Sequence, residues 1–274
     1  MTKVHLILSI LITAAIAFYV LFTFKEEVKD EKIFKEEIAK DEILLDDTIY
    51  LPMPKKYSNM SVEEAILLRR SVREYEDKPV DLEHLSLMLW AAYGITDPRF
   101  GFRACPSAGA TYPLEVYVVV GEKGVETSGK TYLKPGVYKY DVHRHLIFFV
   151  KEGDFRAELA EAAVGQEWVK NAPINIVVTA IFERTTIRYG DRGEIRYVPM
   201  EVGHLGQNVY LIATALGYGT VVVGAFYDDR VRDIVGAEKI EVPMYIIPVG
   251  VPKKPHKISF EEVWNYIESK RRIS

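Results

Sequence analysis

The chain has a single cysteine, Cys105, in 274 residues. An intramolecular disulfide is therefore excluded, as is a zinc or iron–sulfur site built from clustered cysteines. One cysteine does not fix a compartment, because cysteine-poor chains occur everywhere. Positive charge is not in excess: 35 Lys and Arg stand against 39 Asp and Glu, for a formal net charge of -4. That balance leaves no global electrostatic footprint for nucleic acid. No internal repeat is found. No Gly-x-Gly-x-x-Gly follows a strand-like run, so a dinucleotide-binding Rossmann unit has no support. No second His or Cys is spaced to join His204, and no metal site is expected. What the chain does have is apolar residues, 49% of the total with 12% aromatics. That is enough for a sizeable core and argues against disorder.

The first long run, Val4 to Phe24, holds only His5 as a titratable group. As a helix it spans about 31 Å, enough to cross a bilayer core of roughly 30 Å. It exceeds the usual signal-peptide apolar region, no small-x-small cleavage site follows it, and it is apolar all round. Residues 1–24 therefore read as an uncleaved transmembrane anchor, in preference to a signal peptide or a buried core helix. Lys25, Lys29, Lys32, Lys35 and Lys40 follow the span, whereas only Lys3 precedes it. That asymmetry places the remainder in the cytoplasm, beside the membrane. Residues 25–57 read as a charged linker, broken by Leu51-Pro-Met-Pro54.

From 58 to 274 helix and strand signals alternate irregularly, which predicts an α+β domain. Ser61-Val-Glu-Glu64 is a capping box opening a helix to about Arg70. Asp81 starts a second helix that Gly94 ends. Leu114–Val120 and Ile174–Ile181 read as buried strands, with further strands at Gly136–Asp141, Leu146–Val150, Thr220–Val223 and Met244–Val249. Helices are expected from Asp154 to near Gly165, from Met200 to Leu216, after an Asp228 cap, and from Phe260 to about Arg271.

Five segments carry candidate chemistry. Arg69, Arg70, Ser71 and Arg73 gather three guanidiniums and a hydroxyl at a helix end; such a set binds phosphate oxygens, or simply solvates the helix terminus. Pro106-Ser-Ala-Gly-Ala-Thr-Tyr-Pro113 precedes a buried strand, and its small residues allow close approach to a flat ligand. Arg188-Tyr-Gly-Asp-Arg-Gly193 with Arg196-Tyr197 lacks helical periodicity and suits a loop, over a pocket or on the surface. Gly203 and Gly206 inside the long helix cost about 1 kcal/mol each against Ala, and close helix packing, as at a dimer interface, would account for them. Gly217-Tyr-Gly-Thr220 and Val223-Gly-Ala-Phe226 offer backbone N–H groups at a turn, where a helix stop is the simpler reading.

In this order and spacing the five segments resemble the nitroreductase family, and within it the SagB-type dehydrogenase branch, which includes peptide thiazoline and oxazoline oxidases. The likeness extends from about Met60 to Pro252 and takes in Leu89-Trp-Ala-Ala-Tyr-Gly-Ile-Thr96, Pro135-Gly-Val-Tyr138 and Pro248-Val-Gly250. It implies a nitroreductase-like α+β fold with a mainly antiparallel central sheet flanked by helices, and FMN bound at the interface of an intertwined homodimer. By resemblance Arg69, Arg70, Ser71 and Arg73 hold the phosphate, ribityl chain and N1/O2 edge of the flavin. Pro106 and Ser107 come from the other subunit, Val223 and Gly224 face flavin N5, and Lys253 or Lys254 adds a phosphate contact. The implied activity is ping-pong hydride transfer on a small-molecule or peptide substrate, with NAD(P)H as a possible reductant. Ala110 and Tyr112 suit the SagB-type version, where the broader family has Asn and Gln. Azoline oxidases of the branch carry a Lys-Tyr pair at the position of Arg188-Tyr189. Arginine stays protonated near neutral pH and is a poor general base. Tyr189 or a water would then take the proton, or Arg188 would bind an anionic substrate. The contrasting expectation is a non-catalytic, membrane-tethered module that keeps the fold for FMN binding or dimerisation.

Overall fold

The computed structural model describes residues 48–272. The apolar run 4–24 and residues 25–47 of the charged linker lie outside the described residues. Among the described residues no helix is long and apolar enough to cross a membrane.

Eleven strands are described: β1 (Thr48–Tyr50), β2 (Val80–Asp81), β3 (Ile95–Asp97), β4 (Phe102–Arg103), β5 (Leu114–Val120), β6 (Val125–Glu126), β7 (Gly136–Asp141), β8 (Leu146–Glu152), β9 (Ile174–Ala180), β10 (Gly219–Thr220) and β11 (Val242–Gly250). The α-helices are α1 (Val62–Leu68), α2 (Leu82–Tyr93), α3 (Arg156–Ala162), α4 (Glu167–Asn171), α5 (Glu183–Tyr189), α6 (Val198–Ala215), α7 (Asp228–Val235) and α8 (Phe260–Arg271). Seven strands form one sheet in the order β1-β8-β7-β5-β9-β11-β10. From β8 to β10 every pairing is antiparallel, as expected. The compact unit begins at Ile49 rather than at 58, because Leu51 is buried and its N–H bonds the His145 carbonyl.

Strand β9 is buried at every position, which explains its unbroken Ile/Val run: apolar residues are needed on both faces. On one face its residues join Leu85, Met88 and Leu89 of α2 and Val202, Leu205 and Val209 of α6. On the other, Tyr117, Val119 and Val177 pack with α3, Val169 of α4 and Val231 and Val235 of α7. Each buried Val, Leu or Ile contributes about 1.5–3 kcal/mol relative to exposure, so two helical layers hold the sheet flat between them.

Three expected boundaries shift. The strand read over Thr220–Val223 is interrupted after Thr220, because the Val222 N–H turns to the Tyr210 hydroxyl instead (3.1 Å), and it meets β11 again only through the Val223–Ile246 bridge. Asp154 does not cap α3. It receives the Arg156 backbone N–H and guanidinium, and the helix starts at Arg156. Asp228 is the first residue of α7, after the cap Tyr227. The capping box at Ser61 and Glu64 forms as read.

Candidate active site

The arginine cluster lies on the chain leaving α1. Its Ser71 sits alongside Thr220 of β10, and the Val72 N–H donates to the Thr220 carbonyl at 2.9 Å. Gly219 makes this approach possible, since a Cβ there would lie 2.6 to 2.8 Å from the Val72 side chain. Gly217, at φ 83°, ends the helix before it. The hydroxyls of Ser71 and Tyr210 lie 3.0 Å apart, and the Arg69 guanidinium stands 5.0 Å from the Tyr210 ring centre. Tyr210 is thus the post that fixes the cluster to α6. Sequence reasoning took it for part of an apolar helix face, and nothing in its spacing marked it otherwise. Arg70 turns one Nη back to the Leu67 and Arg69 carbonyls (3.1 and 2.6 Å). It therefore also plays the helix-terminal part that was the simpler reading.

Two clefts open on this cluster. One, of about 460 Å³, is lined by Arg70, Ser71, Arg73, Lys254, His256 and Lys257. The other, of about 760 Å³, brings Arg73 together with Lys253, Lys170 and Arg156. Arg73 borders both, while Lys253 and Lys254 face different clefts. His256, Lys257 and Lys170 were missed from the sequence, because isolated residues far along the chain carry no local signal. Two buried donors beside the cluster have no partner: the Thr220 hydroxyl, next to Ser71, and the Trp168 Nε1, whose ring lies 5.2 Å from the Arg73 guanidinium. Buried unpartnered polar groups are rare and costly; among the described residues the other two are Arg103 Nε and Asn175 Oδ1, away from the cluster.

The Val223 assignment is corrected. Its N–H and carbonyl exchange hydrogen bonds with Ile246 (2.8 and 3.0 Å), so its backbone is not free to face a cofactor. Gly224 is the residue left open, and a Cβ there would meet nothing within 4 Å.

The 105–113 loop lies elsewhere on the chain's own surface. Its backbone is strained: Gly109, Ala110 and Tyr112 have φ of 63°, 53° and 46°, a conformation costing a non-glycine residue roughly 1–2 kcal/mol. Pro106 is exposed. The Ser107 Oγ accepts the Tyr112 N–H at 3.0 Å, so its side chain serves the loop itself. Cys105 is buried, and desolvation pushes its thiol up to about 12. It is a packing residue with no thiolate to offer.

The segment read as a loop over 188–197 is helical. Arg188 and Tyr189 end α5, and Gly193–Tyr197 form a π-helical turn leading into α6. Periodicity failed because only Thr185, Gly193 and Val198 are buried between 183 and 200, too few to draw an apolar stripe. The helix braces the loop. Arg184 donates to the Tyr112 carbonyl (3.2 Å), Thr185 meets Thr111 (2.8 Å) and Arg188 reaches the Gly109 carbonyl (3.4 Å). The Arg188 guanidinium also lies 5.3 Å from the Tyr189 ring.

The structure thus groups Arg70, Ser71, Arg73 and Lys254 around one cleft, with Arg69 on Tyr210 and Thr220 beside Ser71, and separately sets the loop that carries Pro106 and Ser107 against Arg188 and Tyr189. Both groups touch α6, the first at Tyr210 and the second near Glu201. Nine helical residues separate these by about 14 Å. Among the described residues no group of three or more His, Cys, Asp or Glu could hold a metal ion.

Residues 66–251 match the model of the nitroreductase family. A protein of Methanocaldococcus jannaschii named among the nitroreductases is 49% identical over 205 residues, covering 74% of this chain and 97% of that one. The trifolitoxin operon protein TfxC of Rhizobium leguminosarum bv. trifolii is 23% identical over 196 residues, covering 68% of this chain and 54% of its own length. Among solved structures, one named for the same family from Ralstonia eutropha superposes with a TM-score of 0.64 at 27% identity, covering 76% of this chain and 90% of that chain.

Proposed function

The chain belongs to the nitroreductase family of oxidoreductases, and from that premise we propose that it is an FMN-dependent enzyme of the SagB-type branch working by ping-pong hydride transfer. The observation that carries the FMN reading is the cationic cleft of Arg70, Ser71, Arg73, Lys254, His256 and Lys257, with the unpartnered Thr220 hydroxyl beside it. Guanidiniums hold phosphate oxygens in pairs, and a hydroxyl adds a donor. Arg69, Arg70, Ser71 and Lys254 would hold the phosphate and ribityl chain. Arg73, between the two clefts and stacked on Trp168, would put a fixed positive charge at the N1/O2 edge. The open backbone at Gly224 would let the ring lie close. Bound FMN supplies the two-electron hydride chemistry, and the protein supplies position and electrostatics.

The second group completes the site from a partner subunit. Ile187 is 87% exposed, Ile195 72% and Met200 56%, and the uncovered face of α6 continues through Gly203, His204 and Gln207. Apolar side chains so exposed fit the face of a homodimer. In that dimer Pro106 and Ser107 approach the flavin of the other subunit, Ser107 through its backbone. Arg188 binds an anionic group of the substrate, and Tyr189 or a water takes the proton. The substrate is a peptide or small heterocycle, a reading supported by the likeness to TfxC, or a nitro or quinone compound reduced with NAD(P)H. Residues 1–24 anchor this unit to the membrane, with the domain in the cytoplasm.

Purification of the full chain in detergent tests the proposal. A yellow protein that bleaches on anaerobic mixing with NADH or NADPH identifies the reductase. A yellow protein that keeps its colour identifies a dehydrogenase reduced only by its own substrate. A colourless protein that takes up no FMN overturns the reading in favour of a non-catalytic module.

A further inference from the structure

Glu201 is buried on α6, with 2% of its surface exposed, and its hydrogen bonds run to Cys105 at one end of the 105–114 loop and to Tyr93, which holds the other end. At the start of the loop, the Cys105 thiol donates to the Glu201 backbone carbonyl at 3.3 Å. In the middle, the Ser107 hydroxyl accepts the Tyr112 N–H at 3.0 Å and lowers the pKa of the Glu201 carboxyl. At the end, the Tyr93 hydroxyl donates to Glu201 Oε1 at 2.5 Å and itself accepts the Leu114 N–H at 3.2 Å. One residue therefore ties both ends of the loop, at Cys105 through its backbone carbonyl and at Leu114 through Tyr93. Between those ties lie the three residues with positive φ, two of which are not glycine. A strained backbone persists only where its surroundings over-determine it, and this carboxyl, with α5 on the outside, does so.

We propose that Glu201 is the positioning residue that holds the 105–114 loop in the form that meets the flavin. The inference rests on the proposed FMN site for the word flavin, and on hydrogen bonds within the chain for the rest. A buried carboxyl is an unusual choice for a purely structural tie. Desolvation raises its pKa, and the hydrogen bonds from Ser107 and Tyr93 work against that rise. The Arg103 guanidinium, stacked 4.4 Å from the Tyr93 and Tyr112 rings, also lowers it, as does His204. The loop's hold is accordingly set by one titratable group facing Tyr93, Ser107, Cys105, Arg103 and His204.

The test compares the full chain with E201A and E201Q by amide hydrogen exchange, resolved for residues 107–114 and for β9, and by FMN titration. E201A is expected to speed exchange of the loop amides at least tenfold with β9 unchanged, and to weaken FMN binding about tenfold. E201Q, which keeps an acceptor for Tyr93, is expected to restore most of both. Should E201A keep wild-type protection at 107–114 in a folded protein, the positioning role is refuted, even where FMN binds normally. Should the wild type itself take up no FMN, the flavin reading fails, while loop exchange in the same variants still decides whether Glu201 holds the loop. If E201A does not fold, Y93F, which removes the hydroxyl that links Glu201 to the Leu114 N–H, carries the exchange measurement beside E201Q, with faster loop exchange expected in Y93F alone. Wild-type loop exchange in Y93F would equally refute the role.

Discussion

Gly109 shows how a single residue sets the geometry between the loop and α5. Its φ of 63° is open to glycine, and an added Cβ would collide with the Tyr189 hydroxyl and come within 2.9 Å of Arg188 Nη1. Ala in that conformation costs roughly 1–2 kcal/mol before any collision. G109A is therefore expected to lower Tm by about 2–6 °C for a domain of this size, and to cut turnover by displacing Tyr189. Unchanged Tm and turnover would show that Tyr189 is not held there. Glu201 makes a second residue-scale prediction, this time in pH. Desolvation raises its folded pKa above the ordinary 4.5, against opposing hydrogen bonds. The folded state then binds more protons than the unfolded state between those two values, so stability falls as pH rises through the window. The Tm of the wild type minus that of E201Q should increase as pH is lowered towards 4.5. A difference independent of pH would mean that the carboxyl does not titrate in this range.

At the scale of elements, legibility followed burial. The β9 run, the α6 run and the Ser61–Glu64 box were readable because a fully buried strand, an amphipathic helix and a cap each leave a local mark. The segment from Glu183 to Tyr197 left none, because α5 and the π-helical turn turn most side chains outward. Their apolar residues, Ile187 and Ile195, are exposed, and the proposed dimer would cover them. The arginine cluster was legible by density, yet Tyr210, Thr220, Trp168, His256 and Lys257 were not, since they join it from 97 to 186 residues beyond Ser71. Val223 was misassigned for a related reason: sequence cannot show that its N–H is already bonded to Ile246. Sedimentation velocity tests the exposed helical face. The wild type is expected to be a dimer, and I187D together with I195D a folded monomer with little FMN retained. A double variant that stays dimeric would place the interface elsewhere.

At the scale of the whole molecule, the sheet and its two helical layers present two half-sites about 14 Å apart along α6. A cationic half lies beside Tyr210, and a loop half is held by Glu201 and braced by α5. In the proposed dimer FMN would lie between the cationic half of one subunit and the loop half of the other. The most direct measurement is titration of the full wild-type chain with FMN, followed by quenching of flavin fluorescence, beside the R69A R73A double variant. The account predicts saturable uptake near one FMN per chain in the wild type, and at least a hundredfold weaker binding in the folded double variant. Equal uptake by the two proteins, or none by the wild type, would contradict it.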